Sequence, residues 1–205
     1  MEKMPDDNCI ILTGRIMSEP ELSHKTYGEN FYIMYLGVTR KSGYEDRIPL
    51  MISERLLWED NFTVGEMLYA EGQIRTYNQQ VDGHNHLMIV TFVRKLEHVP
   101  DEEEMDNNVV LEGYICKETI RRTSPLGREL CDMMLAVNRM YNKSDYIPCI
   151  AWGRNAVLGG ELKVGDKILI EGRLQSRKYK KHTEDGQIIE KTAFEVSVTR
   201  MEECG

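Results

Sequence analysis

Apolar and polar side chains alternate along three stretches of the chain's second half with the two-residue period of a half-buried strand. Cys131, Met133, Leu135 and Val137 share one face of a segment at 129–139, and Ile168, Ile170 and Leu174 share one face of 167–181. Phe194, Val196 and Val198 do the same within 188–201. Shorter strands are expected near 108–116 and 145–152, with a short helix or loop near 155–161. A turn signal, Glu184-Asp185-Gly186, would join the last two strands into a long, protruding hairpin.

The same landmarks occur earlier in the chain. Residues 8–14 (NCIILTG) return as 107–113 (NNVVLEG), and Gly28, Val38, Arg40 and Ile48-Pro49 answer Gly127, Val137, Arg139 and Ile147-Pro148 at an offset of 99. The offset becomes 100 for Gly65 with Gly165 and Gly72 with Gly172, and 103 for Asp82-Gly83 with Asp185-Gly186. A period near one hundred residues is too long for a solenoid and fits one small domain, so the chain is expected to hold two. Five strands with one short helix between the third and fourth is the order of an oligonucleotide-binding (OB) fold. The expectation is therefore all-β: two tandem five-stranded Greek-key barrels, at 1–100 and 107–205, joined by an acidic linker at 101–106.

Charge changes this picture only when it is divided. The net charge is -8, but residues 1–100 carry 10 Lys/Arg against 15 Asp/Glu, the linker DEEEMD adds five net negative charges, and 107–205 carry 16 against 14. The positive charge belongs to the second copy and is densest where Arg173, Arg177, Lys178, Lys180 and Lys181 fall within nine residues of the expected hairpin. Five cysteines, without a C-x-x-C pair or histidines at metal spacing, suggest neither a disulfide framework nor a zinc site. The expected compartment is reducing and aqueous, a cytoplasm, since neither a signal peptide nor a membrane-length apolar run is found. No catalytic ordering of Ser, His and Asp, readable carboxylate pair or phosphate-cradling loop emerges, so an enzyme is not expected, nor any cofactor.

Cations neutralise phosphates, while a ring stacks on a base whatever its identity. The run Arg177-Lys178-Tyr179-Lys180-Lys181 supplies both, and Tyr141, Tyr146 and Trp152 add rings near the central strands. The first copy tests whether those rings belong to the core. It places Ser53 opposite Trp152, Arg47 opposite Tyr146 and Gln79 opposite Tyr179, with no ring for Tyr141. Polar replacements mark surface positions, so the rings are read as surface equipment.

The segments NNVVLEGYI, LAVNRMY, DYIPCIAWGRNAVL, LKVGDKILIEGRLQSRKY, EDG and TAFEVSV together resemble the bacterial single-stranded DNA-binding protein family across nearly all of 107–201. The first copy resembles it more faintly, through NCIILTGRIMSEPEL and GEMLYAEGQIRTY. The resemblance implies a barrel that wraps single-stranded DNA without strong sequence preference, with stacking positions at Tyr141, Tyr146, Trp152 and Tyr179. The cations paired with them are Arg139, Arg154, Arg173, Arg177, Lys178, Lys180 and Lys181, with Arg121, Arg122 and Arg128 as further candidates. It also implies roles in replication, repair or recombination, and a homodimer giving four OB folds through the first strand of the barrel. The family's acidic recruitment tail is not expected after Met201-Glu202-Glu203-Cys204-Gly205. A rival expectation is an assembly module similar to primosomal replication proteins, in which DNA binding is weak or absent. The acidic run at 101–106 reads as a solvated linker, or more sharply as a phosphate mimic competing for the basic hairpin.

Overall fold

The computed structural model describes residues 7–58, 60–81, 84–182 and 186–204. The expected turn residues Asp82, Gly83, Glu184 and Asp185 lie outside them, as do the side chains of Tyr141 and Lys181. The first half runs β1 (Asn8–Ile16), β2 (Glu21–Thr26), β3 (Glu29–Thr39), β4 (Glu45–Ser53), α1 (Glu54–Trp58), β5 (Met67–Val81) and β6 (His84–His98). The second repeats it: β7 (Asp106–Ile115), β8 (Ile120–Thr123), β9 (Glu129–Arg139), β10 (Lys143–Trp152), α2 (Arg154–Gly159), β11 (Lys167–His182) and β12 (Ile188–Glu203). Among the described residues no helix is long and apolar enough to cross a membrane.

Each half closes on itself. β1 pairs with both β3 and β5, β4 pairs with β6 in parallel, and β7, β9, β10, β11 and β12 repeat the pattern. The apolar faces expected from alternation point inward: Cys131, Leu135, Val137, Ile170, Leu174 and Val196 are fully buried. Closure forces backbones together at equivalent points. A Cβ on Gly14 would lie 2.4 Å from the Gly37 carbonyl oxygen, and one on Gly113 2.6 Å from that of Ala136. At the matching bulges, a Cβ on Gly72 or Gly172 would lie 2.2 or 2.3 Å from the oxygen of Phe92 or Ser197.

β2 and β8 were not expected. Every side chain on them is exposed, so neither has an apolar face for alternation to reveal. β8 pairs with β9, and the pairing is braced by Arg121 on Glu129 at 2.8 Å and Arg122 on Asp132 at 2.6 Å.

The two barrels share one sheet. Its strand order, β2-β3-β4-β6-β5-β1-β7-β11-β12-β10-β9-β8, is a palindrome centred on an antiparallel β1–β7 pair. Ile10 faces Val109, its own counterpart at the repeat offset of 99, so a local two-fold axis passes between them. On either side an asparagine amide continues the ladder past a bulge. Asn8 Nδ2 donates to the Ile74 carbonyl at 2.7 Å and its Oδ1 accepts from the Ile74 amide at 2.8 Å; Asn107 does the same with Leu174 at 2.7 and 2.9 Å.

Two buried carboxylates then tie each barrel to the hairpin of the other. Asp46, 1% exposed, accepts from Arg40 Nε and Nη2 at 2.6 Å and from the amide and hydroxyl of Ser176 at 2.7 and 2.8 Å. Its repeat partner Asp145, fully buried, accepts from Arg139, from Arg75 at 3.0 Å and from the Thr76 amide at 2.6 Å. The acidic run is not a free tether either. It turns after Pro100, Asp101 pairs with Arg15 at 3.0 Å, and Met105 packs against the core.

Candidate nucleic-acid interface

β10 alternates. Asp145, Ile147, Cys149 and Ala151 point inward, so Tyr146 and Trp152 share the outer face, 50% and 37% exposed. Neither is a core residue. Arg154 opens α2 two residues beyond Trp152 in the chain and is exposed. Tyr179 sits on β11 with the Arg177 guanidinium 5.9 Å from its ring centroid. Tyr141 lies in a 3-10 turn, Met140–Asn142, between β9 and β10.

Several expected cations already have carboxylate partners. Arg177 lies 3.6 Å from Glu195, and Lys178 lies 2.9 Å from Glu190, whose hydrogen bond raises the lysine's pKa and holds it charged. Arg139 is committed to Asp145. Lys180 and Arg128 are exposed. Arg173 is partly buried, and its Nε has no hydrogen-bond partner.

The hairpins lie side by side, with Lys191 Nζ 3.4 Å from His86 Nε2. Between them runs a groove of about 810 Å³ lined by Tyr35, Tyr77, Tyr179 and Phe194. Its first-barrel rings escape the repeat comparison, which asks only what stands opposite each second-copy ring. Tyr35 carries the Arg47 guanidinium 4.6 Å above its face, so a ring and a cation occur together in the first copy as well.

A second cleft, of about 750 Å³, opens where β5 and β6 meet the β9–β10 turn, and also draws on both barrels. Arg75, Arg94, Arg139 and Lys143 line it, with Tyr27 fully exposed at its side. Burial pushes the Arg75 guanidinium below its ordinary range, and neighbouring Arg139 and Arg94 act in the same direction against the hydrogen bond to Asp145. Among the described residues no group of three or more His, Cys, Asp or Glu is arranged to hold a metal.

Residues 106–203 match the profile of the Single-strand binding protein family. The single-stranded DNA-binding protein of Thermus aquaticus is 24% identical over 196 residues, covering 82% of this chain and 74% of that protein. Single-stranded DNA-binding protein A of Bacillus subtilis is 37% identical over 82 residues, which are 37% of this chain and about half (48%) of that relative. The crystal structure of the wild-type Thermus aquaticus protein superposes with a TM-score of 0.75 at 21% identity, over 97% of this chain and 93% of that one. The two chains share a fold of paired barrels.

Proposed function

Because this chain belongs, through residues 106–203, to the single-strand binding protein family, we propose that it binds single-stranded DNA without strong sequence preference. The family is one of binding proteins, in keeping with a chain that is not an enzyme. The observation that carries the proposal is the exposed pair Tyr146 and Trp152 on one face of β10, followed two residues later in the chain by the exposed Arg154. Bases stack on the rings and phosphates meet Arg154, Arg173, Lys180 and Lys181, while Tyr179 and Tyr141 extend the row. On this proposal residues 107–205 make most of the contact, and the chain serves DNA replication, repair or recombination in the bacterial cytoplasm.

Four barrels in a homodimer remain part of the proposal. The first strand of each barrel is already spent on the β1–β7 pair, so a second chain must dock elsewhere. Light scattering should give twice the chain mass; a single chain mass would remove the dimer.

The chain's other tryptophan, Trp58, is 76% exposed, so the test is made in a Trp58→Phe background. Oligo-dT should quench Trp152 fluorescence with an affinity that falls as salt rises. Trp152→Ala should weaken binding by about 1–3 kcal/mol. One observation favours the assembly role: Arg139, Arg177 and Lys178 are met by the protein's own carboxylates. No quenching, together with no binding in a second assay, would overturn DNA binding and favour the assembly role.

A further inference from the structure

We propose that the groove between the two hairpins is a base-stacking site, in which Tyr77 and Tyr35 of the first barrel continue the row of rings from Tyr179 and carry a bound strand across the local two-fold axis. The proposal deepens the single-stranded DNA reading above and rests on it. It gives the first copy a share of the contact, at positions where the second copy has no ring.

The groove straddles the axis. Gly72 pairs with Val93 as Gly172 pairs with Val198, so β6 and β12 match at an offset of 105 and His86 is the mate of Lys191. Those two side chains meet at 3.4 Å. Further mates face the same space, Pro49 with Pro148, Gln79 with Tyr179 and Ile89 with Phe194. Two identical barrels would line such a groove alike. Here the second barrel contributes the rings Tyr179 and Phe194, where the first has an amide and an aliphatic chain, while the first contributes Tyr35 and Tyr77. The mate of Tyr35 is Met134, since Tyr35 pairs with Pro49 and Met134 with Pro148; the mate of Tyr77 is Arg177. The two walls therefore carry their rings at non-equivalent positions, which duplication alone does not produce.

The core of the first barrel does not account for its two rings. Met34 and Leu36, on either side of Tyr35, are fully buried on the inner face of β3, so Tyr35 belongs to the outer face, and Tyr77 is 40% exposed. Arg47, the mate of the exposed ring Tyr146, lies 4.6 Å over Tyr35. The outer face of β4 thus offers a guanidinium where that of β10 offers a ring, and bases stack on both. Burial, and next the nearby Tyr35, push the Tyr77 hydroxyl above its ordinary pKa, which keeps it uncharged where phosphates pass.

Continuity with the face of β10 identifies the occupant. Pro148 shares that outer face with Tyr146 and Trp152 and also lines the groove, so a strand stacked on the two rings has an unbroken path into it. The volume of about 810 Å³ lies within the roughly 300–1,000 Å³ of ordinary ligand sites. Rings set among apolar side chains suit the flat faces of bases, which stack whatever their identity.

The test measures oligo-dT affinity against salt in the Trp58→Phe chain for Tyr35→Leu/Tyr77→Leu, for Tyr35→Phe/Tyr77→Phe and for a control, Tyr114→Leu, whose ring is 40% exposed on β7 outside the groove. Leucine keeps apolar bulk and removes the flat ring. The leucine variant should bind more weakly, by about 5-fold or more for each base no longer stacked, with its log-log salt slope unchanged because no charge is lost. The phenylalanine variant and the control should bind as the parent chain does, and saturating oligo-dT should still quench Trp152 in all three. Tyr77→Leu alone, at the more exposed ring, gives the same reading should the double leucine variant fail to fold. Unaltered affinity in the leucine variants, with quenching intact, would overturn the groove proposal and leave DNA binding by the second barrel standing. An equal loss in the phenylalanine variant or the control would overturn it as well, by showing an effect other than lost stacking in the groove. Absence of quenching in the parent chain, with no binding in a second assay, would remove both proposals together.

Discussion

Asp46 sits 130 residues from Ser176 in the chain and within hydrogen-bond distance of it in space, taking two bonds from Arg40 and two from that serine. Removing one partner of a buried ion pair leaves the other uncompensated. Asp46→Ala should therefore destabilise the protein by about 3–5 kcal/mol, measured by urea denaturation. Cys149 gives a second expectation at this scale. Burial pushes its thiol pKa far up, so it stays protonated through the physiological range and loses its nucleophilic form. Iodoacetamide at pH 8 should leave Cys149 unlabelled in the native protein and label it in denaturant, as read by peptide mass spectrometry. The exposed rings were legible at this scale, because polar residues stand in their place in the first copy. The pairing of Arg40 with Asp46 was only half legible. Arg40 and Arg139 were matched by the repeat, but the aspartates at the same offset carry no signal until the fold brings each beside the other barrel's hairpin.

Strands with one dry face were readable from the sequence, and those without were not. β9, β11 and β12 were read from alternating apolar positions, whereas β2 and β8 are wet on both faces and exist through ladder bonds, with cross-strand ion pairs at β8. The glycines matched by the repeat also have a physical cause at this level, since barrel closure and the β5 and β11 bulges leave no room for a Cβ. Gly172→Ala would press a methyl group to 2.3 Å from the Ser197 carbonyl oxygen. It should cost about 1–3 kcal/mol by thermal or chemical denaturation, with the far-ultraviolet dichroism of the native state retained. Neither cleft was legible, because its walls come from elements far apart in sequence: for the cationic one, the β2–β3 turn, β5 and β6 of one copy, and the β9–β10 turn of the other.

At the scale of the whole molecule, a continuous ladder, two reciprocal carboxylate clasps and a shared cluster of buried side chains join the barrels, so they are expected to unfold together. Each barrel carries one tryptophan, Trp58 or Trp152, so Trp58→Phe and Trp152→Phe report the two halves separately. Both reporters should give the same unfolding midpoint once each variant's own stability is taken from circular dichroism; separate midpoints would show barrels that unfold independently. The palindromic sheet has one more consequence. A pair of identical barrels about a true dyad looks the same from either end, but here β11 carries Arg177-Lys178-Tyr179-Lys180 where β5 carries Tyr77-Asn78-Gln79-Gln80. A polymer with distinct 5′ and 3′ ends laid across such a surface meets a front and a back, and so acquires a preferred heading that two identical barrels would not impose.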